Sequence, residues 1–90
     1  MKSFHLRITS PDGDAFSGSA VMLSLRGTEG DLAILAGHIP FVTAVVPCQI
    51  TVETATEEIH AKVSGGLLSV STDEAVLLSS DFEVISREAV

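Results

Sequence analysis

Apolar and polar residues alternate with a period of two along most of the chain. Phe4, Leu6 and Ile8 alternate with His5, Arg7 and Thr9, and Val21, Leu23 and Leu25 with Met22, Ser24 and Arg26. Ile50 and Val52 alternate with Gln49, Thr51 and Glu53, and Ile59, Ala61 and Val63 with His60, Lys62 and Ser64. Successive strand side chains point to opposite faces, so each run buries one face and wets the other, as in antiparallel sheet. Residues 41–46 are apolar on both faces, which predicts a central strand or one whose second face is covered by a partner. Residues 75–79 share that character.

Turn chemistry separates the runs. Pro11-Asp12-Gly13-Asp14 supplies a fixed φ and then a residue free to take a positive one. Gly27-Thr28-Glu29-Gly30 is a second turn and Pro47-Cys48 a third. Residues 54–58 form a polar hairpin tip, and Thr72-Asp73-Glu74 closes another hairpin. Gly65-Gly66 interrupts a strand-like run, which predicts a bulge or a close backbone approach. About nine short strands at this spacing indicate a β-sandwich or barrel. A helix could start only near the end, where Ser80 and Glu83 have capping-box spacing and residues 86–90 could be helical. Phe82, Val84 and Ile85 favour a final strand instead.

Ninety residues make one domain, spanning 1–90 with the last few residues as a tail. A domain of this size is marginally stable alone, which favours a permanent partner. The net charge is −7, and the five basic residues are scattered. Nucleic acid and anionic membrane surfaces both require clustered Lys and Arg, so both are disfavoured. The longest apolar runs fall far short of the ~20 residues of a membrane span, so no direct membrane insertion is expected. The lone Cys48 permits no internal disulfide and favours a reducing compartment.

Converging chemistry is not evident. The histidines stand at 5, 38 and 60, and no two have metal-ligand spacing. The His-x-His pattern of a cupin-type metalloenzyme is missing, which disfavours a small β enzyme. Asp12-Gly13-Asp14 lacks the further ligands of a calcium loop. Cys48 has no nucleophile signature, and the glycines form no phosphate cradle. The expected catalytic, cofactor and metal sets are therefore all none. One stretch differs from generic sandwich sequence. Gly30 and Gly37 bracket an apolar strand, and Gly37-His38-Ile39-Pro40 forces an irregular, exposed link suited to contact.

Glu29-Gly30-Asp31-Leu32-Ala33-Ile34, then Gly37-His38-Ile39-Pro40 and Thr43-Ala44, resemble the epsilon subunit of F-type ATP synthases, called delta in mitochondria. Phe16-Ser17-Gly18, the run Val63-Ser64-Gly65-Gly66-Leu67-Leu68-Ser69-Val70 and Val76-Leu77-Leu78 extend the resemblance to residues 4–85. The chain departs from the pattern at Ala33 and Cys48, where Gly is usual, and at Ala36, where Pro is usual. The resemblance implies an all-β fold, a flattened antiparallel β-sandwich of about ten short strands. It implies a non-catalytic subunit of the central rotor stalk that docks on the gamma subunit and the c-subunit ring, coupling H⁺ or Na⁺ flow to ATP synthesis. That places the chain at the cytoplasmic face of the bacterial inner membrane as a peripheral part of the complex. The implied contact residues are Glu29, Gly30, Asp31, Gly37, His38 and Pro40, at the end of the sandwich that meets ring and gamma. Basic groups on the ring's polar loops would suit Glu29 and Asp31. Family members often continue into a helical hairpin that restrains hydrolysis or binds ATP. This chain ends near its last strand, so neither property is expected of it. The competing reading is a stand-alone β-sandwich protein-binding module without enzymatic activity.

Overall fold

The computed structural model describes residues 2–89, and every regular element in it is a strand. They are β1 (Phe4–Ser10), β2 (Gly13–Ala20), β3 (Met22–Gly27), β4 (Gly30–Leu35), β5 (Phe41–Val45), β6 (Cys48–Glu53), β7 (Glu57–Val63), β8 (Gly66–Val70), β9 (Glu74–Ser79) and β10 (Glu83–Ala89). The alternating positions behave as their pattern requires. Leu6, Ile8, Leu23, Ile50, Val52, Ala61, Leu68 and Leu77 have no exposed surface, and their neighbours along each strand face out.

All ten strands belong to one curled sheet, in the order β10-β7-β6-β3-β5-β8-β9-β1-β2, with β4 on the other edge of β3. The sheet folds where β3 meets β5. That junction is the single pair Gly27↔Val45, flanked by the Thr28 N–H donating to the Ala44 carbonyl (3.2 Å) and the Val46 N–H donating to the Arg26 carbonyl (3.1 Å). The fold gives a first layer, β10-β7-β6-β3-β4, and a second, β5-β8-β9-β1-β2. Their inner faces share one core, in which Leu23, Ile34, Ile50, Val52 and Ile59 of the first layer join Leu6, Ile8, Leu68, Val70 and Leu77 of the second.

The expected all-β sandwich of about ten mainly antiparallel strands is present, with one parallel pair, β1 and β9, from His5↔Glu74 to Thr9↔Leu78. β9 reaches β1 after the chain has passed through the other layer, and parallel neighbours need such a crossover instead of a hairpin. One expectation is corrected: the last residues are not a tail. β10 pairs with β7 as far as Ala89↔Glu57, after Ile85 is absorbed as a bulge between Val84 and Ser86. The final strand favoured over a helix at 86–90 is present up to Ala89; Val90 lies outside the described residues. The departures at Ala33, Ala36 and Cys48 introduce no strain, because no described non-glycine residue has a positive φ.

The three strands β2, β4 and β10 each pair on one side only, and an arginine–carboxylate pair ties each to its neighbour. Arg7 of β1 donates to Asp14 of β2 (3.1 Å), and Arg26 of β3 to Asp31 of β4 (2.8 Å). Arg87 of β10 grips both carboxylate oxygens of Glu57 on β7 (3.0 and 3.1 Å). These guanidinium hydrogen bonds hold Asp14, Asp31 and Glu57 below the ordinary carboxylate range. A depressed carboxyl pKa contributes stability above the unfolded value, and that contribution is lost as pH falls through the folded one. The urea midpoint should therefore decline on acidification below about pH 4. Arg87→Ala should flatten this decline, and identical pH profiles for the two proteins would contradict the assignment.

Candidate docking surface

The sequence-derived contact residues fall into two groups that the fold does not bring to one end. Thr28 and Glu29 form the two-residue turn between Gly27 and Gly30, which face each other across the hairpin. Gly37, His38 and Pro40 lie beyond the other end of β4, after Leu35, which pairs with Met22. Five strand steps at ~3.3 Å put the groups about 17 Å apart. A single docking end shared by both is therefore corrected. The reason lies in strand geometry: residues 30–35 are an extended strand, which separates the segments it joins.

What the groups share is β5. The Thr28 N–H donates to the Ala44 carbonyl near the C-terminal end of β5, and the 37–40 link runs directly into its N-terminal end at Phe41. Gly37 takes φ +80 in this link. His38 is half-buried, its Nδ1 donates to the Ile39 carbonyl (2.9 Å), and its ring lies 5.0 Å from that of Phe41. Asp31 is engaged by Arg26, whereas Glu29 has no ion-pair partner among the described residues.

Strand β5 also carries part of an exposed apolar face. Its inward residues pair with buried positions of β8, as in Phe41↔Val70 and Thr43↔Leu68. Its outward residues are Val42, 63% exposed, and Ala44. Ala44 faces Leu67 of β8, and Leu67 faces Leu78 of β9. Leu67 and Leu78 keep 44% and 49% of their surface exposed. Val76 lies in the neighbouring row, opposite Ser69, which faces Val42. The outer surface of the second layer is thus aliphatic across three strands, and the Glu29 turn adjoins it at Ala44.

Leu67 and Leu78 are absent from the sequence-derived contact set, although a signal for them existed. Leu67-Leu68 and Leu77-Leu78 are adjacent leucines in strands, so one of each pair must face outward.

Among the described residues, no group of reactive side chains converges on this surface. A separate cleft lies elsewhere, lined by Ser3, Ser19, Val21, Glu53, Thr54, Ala55 and Thr56, and Glu53 is its sole ionisable side chain. Cys48 is half-buried at the sheet corner, its Sγ 4.0 Å from the Arg26 carbonyl. Among the described residues, one group of potential metal ligands, Glu58, His60 and Glu88, lies on the outer face of the first layer.

Residues 3–85 match the family described as ATP synthase, Delta/Epsilon chain, beta-sandwich domain. The chain is 38% identical over 79 residues to an ATP synthase epsilon chain of Bradyrhizobium sp. (strain ORS 278), covering 88% of this chain and 58% of the relative. It is 34% identical over 83 residues to the epsilon chain of Priestia megaterium, covering 92% of this chain and 62% of the relative. The chain therefore spans about three-fifths of the length of these curated relatives. Its fold is similar to a chain of the Euglena gracilis mitochondrial ATP synthase OSCP/F1/c-ring structure, with a TM-score of 0.85 at 22% identity, over 91% of this chain and 53% of that one. A chain of the Tetrahymena thermophila mitochondrial ATP synthase central stalk/c-ring structure gives a TM-score of 0.79 at 11% identity, over 90% and 66%. Together, the match over residues 3–85 and the curated relatives show that the chain belongs to the delta/epsilon chain family of ATP synthases, as its β-sandwich domain.

Proposed function

We propose that this domain is a non-catalytic docking element of the ATP synthase central stalk, seated on the gamma subunit and the c-subunit ring. It transmits rotation between ion flow and ATP synthesis and performs no chemistry of its own. The observation that carries this reading is the aliphatic outer face formed by Val42, Ala44, Leu67 and Leu78. A small domain with a complete core gains nothing from exposing such a face to water, and contiguous apolar surface of this kind marks an interaction site. The bacterial relatives favour a peripheral position on the cytoplasmic face of the inner membrane.

The face and its rim have different roles in this reading. Apolar packing against gamma provides affinity, and the Thr28–Glu29 turn provides charge complementarity to basic loops of the ring. Glu29, unpaired within the described residues, is the effective charge, while Asp31 is already engaged by Arg26. Glu29→Lys should weaken association with an isolated gamma–c-ring assembly about tenfold at low salt and by less at high salt. Asp31→Asn should have a smaller effect. Equal, salt-independent effects of the two would remove Glu29 from the docking surface.

A further inference from the structure

The outer face of the first layer carries a second, independent feature. Glu58, His60 and Glu88 each offer a ligand atom, and these atoms lie within 4.8 Å of one another. The sheet assembles the group. Glu58 and His60 are two apart on β7 and so share a face. β10 places Glu88 directly opposite Glu58, and Ser86 opposite His60. On the other side Glu53 of β6 also faces Glu58. Three glutamates therefore line up across β6, β7 and β10. The row continues through Met22 of β3 to Leu35 of β4 and contains no arginine or lysine. Lys62 lies two rows further on, beyond the row of His60 and between Gln49 and Glu83. Like charges directly opposite in a sheet are destabilising.

The histidine is well placed among these carboxylates. Its side chain is 23% exposed, its Nε2 lies 2.8 Å from Glu58 Oε1, and its Nδ1 lies 3.3 Å from the Thr51 hydroxyl. Thr51 is the residue paired with His60 across β6 and β7. A threonine hydroxyl can donate or accept, so it supports either imidazole tautomer.

We propose that Glu58, His60 and Glu88 form a Zn²⁺ site, with His60 Nε2 and one oxygen from each carboxylate as ligands and a fourth position for water. In the free protein the Nε2–H donates to Glu58 and the Thr51 hydroxyl donates to Nδ1. When zinc takes the Nε2 lone pair, the ring proton resides on Nδ1 and Thr51 accepts it. Such an outer hydrogen bond fixes the tautomer and ring orientation of a ligating histidine. Zinc–ligand bonds of about 2.0–2.2 Å need ligand atoms about 3.4 Å apart, and the long, exposed Glu88 side chain can close that distance. The imidazole favours zinc over magnesium or calcium. The ion offsets the carboxylate repulsion and clamps edge strand β10 to β7.

Titrating the metal-free chain with zinc chloride in a calorimeter at neutral pH tests this. One saturable zinc per chain is expected, with a higher thermal midpoint by circular dichroism. His60→Ala and Glu88→Gln should each weaken binding at least about tenfold, and Thr51→Val should weaken it ~10-fold or more while leaving every ligand in place. His5→Ala, His38→Ala and Cys48→Ser should leave it unchanged. Glu58→Gln, which keeps the shape of the side chain, is the second test if another variant unfolds. No saturable uptake, uptake indifferent to His60, Glu58 and Glu88, or uptake lost with Cys48 or His38 would each overturn the proposal.

Discussion

Gly66→Ala is expected to destroy cooperative folding. A Cβ at Gly66 would run into the carbonyl group of Leu78. That carbonyl cannot retreat, because Leu78 and Ser79 are paired with Leu67 and Gly66 in the β8–β9 ladder. The neighbouring Gly65 is similarly constrained: its φ is +107, and a Cβ there would lie 2.7 Å from the Val45 carbonyl oxygen. The two glycines carry the chain from β7 in the first layer to β8 in the second. A buried hydroxyl secures the crossing, since Ser79 lies within hydrogen-bond distance of the carbonyls of Gly65 (2.8 Å) and Asp81 (2.9 Å). The Ser64 N–H donates to the Asp81 carboxylate (2.8 Å), tying the same corner from outside. Backbone overlap with no flexible partner belongs to the most damaging class of substitutions, and a loss of more than about 3 kcal/mol is expected. Gly30→Ala is the proper comparison. Gly30 has φ +121 but open space around it, so it incurs conformational strain alone, on the order of 1–2 kcal/mol. The chain has no Trp or Tyr, so urea unfolding should be followed by far-ultraviolet circular dichroism. Equal midpoints for the two variants would contradict this picture of the crossing.

Leu67→Asp is expected to abolish docking while leaving the domain folded. Leu67 lies at the centre of the aliphatic row, between Ala44 and Leu78, and already exposes 44% of its surface. Losing its packing in the free domain should cost no more than about 1 kcal/mol. In a complex the same position would be buried. The variant would forgo about 1 kcal/mol of apolar burial and would also desolvate an unpaired carboxylate, which costs several kcal/mol more. A loss of about 3 kcal/mol or more corresponds to at least ~100-fold in affinity. Leu78→Thr, which removes apolar surface without adding charge, should lose about tenfold by the same reasoning. Surface plasmon resonance against a gamma–c-ring assembly, alongside thermal melts of the free variants, separates docking from stability. Wild-type affinity in Leu67→Asp would exclude this face from the interface.

The strand interiors were legible in the sequence because burial of one face forces a period of two. Phe4, Leu6, Ile8, Ile59, Ala61 and Val63 all point inward as the alternation requires. The Gly65-Gly66 interruption also read correctly as a close backbone approach, because only glycine tolerates it. Relations between strands distant in sequence were not legible. Nothing local specifies that β9 lies parallel to β1, or that β10 pairs through Ala89. Glu58, His60 and Glu88 come together only through the β7–β10 register. The 29–31 and 37–40 segments were legible as turn and link but not as positions in space, because the extended strand between them sends them to opposite ends. The exposed aliphatic face was half legible: the two-sided apolar character of residues 41–46 marked its start, while its extension through Leu67 and Leu78 depends on which strands are neighbours.

The central claim is that this domain is a rotor-stalk docking element. Its most direct test is reconstitution of the chain with a gamma–c-ring assembly lacking its own epsilon subunit, followed by size-exclusion chromatography and stoichiometry by mass. The expected result is one copy per gamma, stable to gel filtration and lost with Leu67→Asp. A chain that elutes alone as a folded monomer, with no affinity for gamma or the ring, would contradict the account and identify a stand-alone binding module instead.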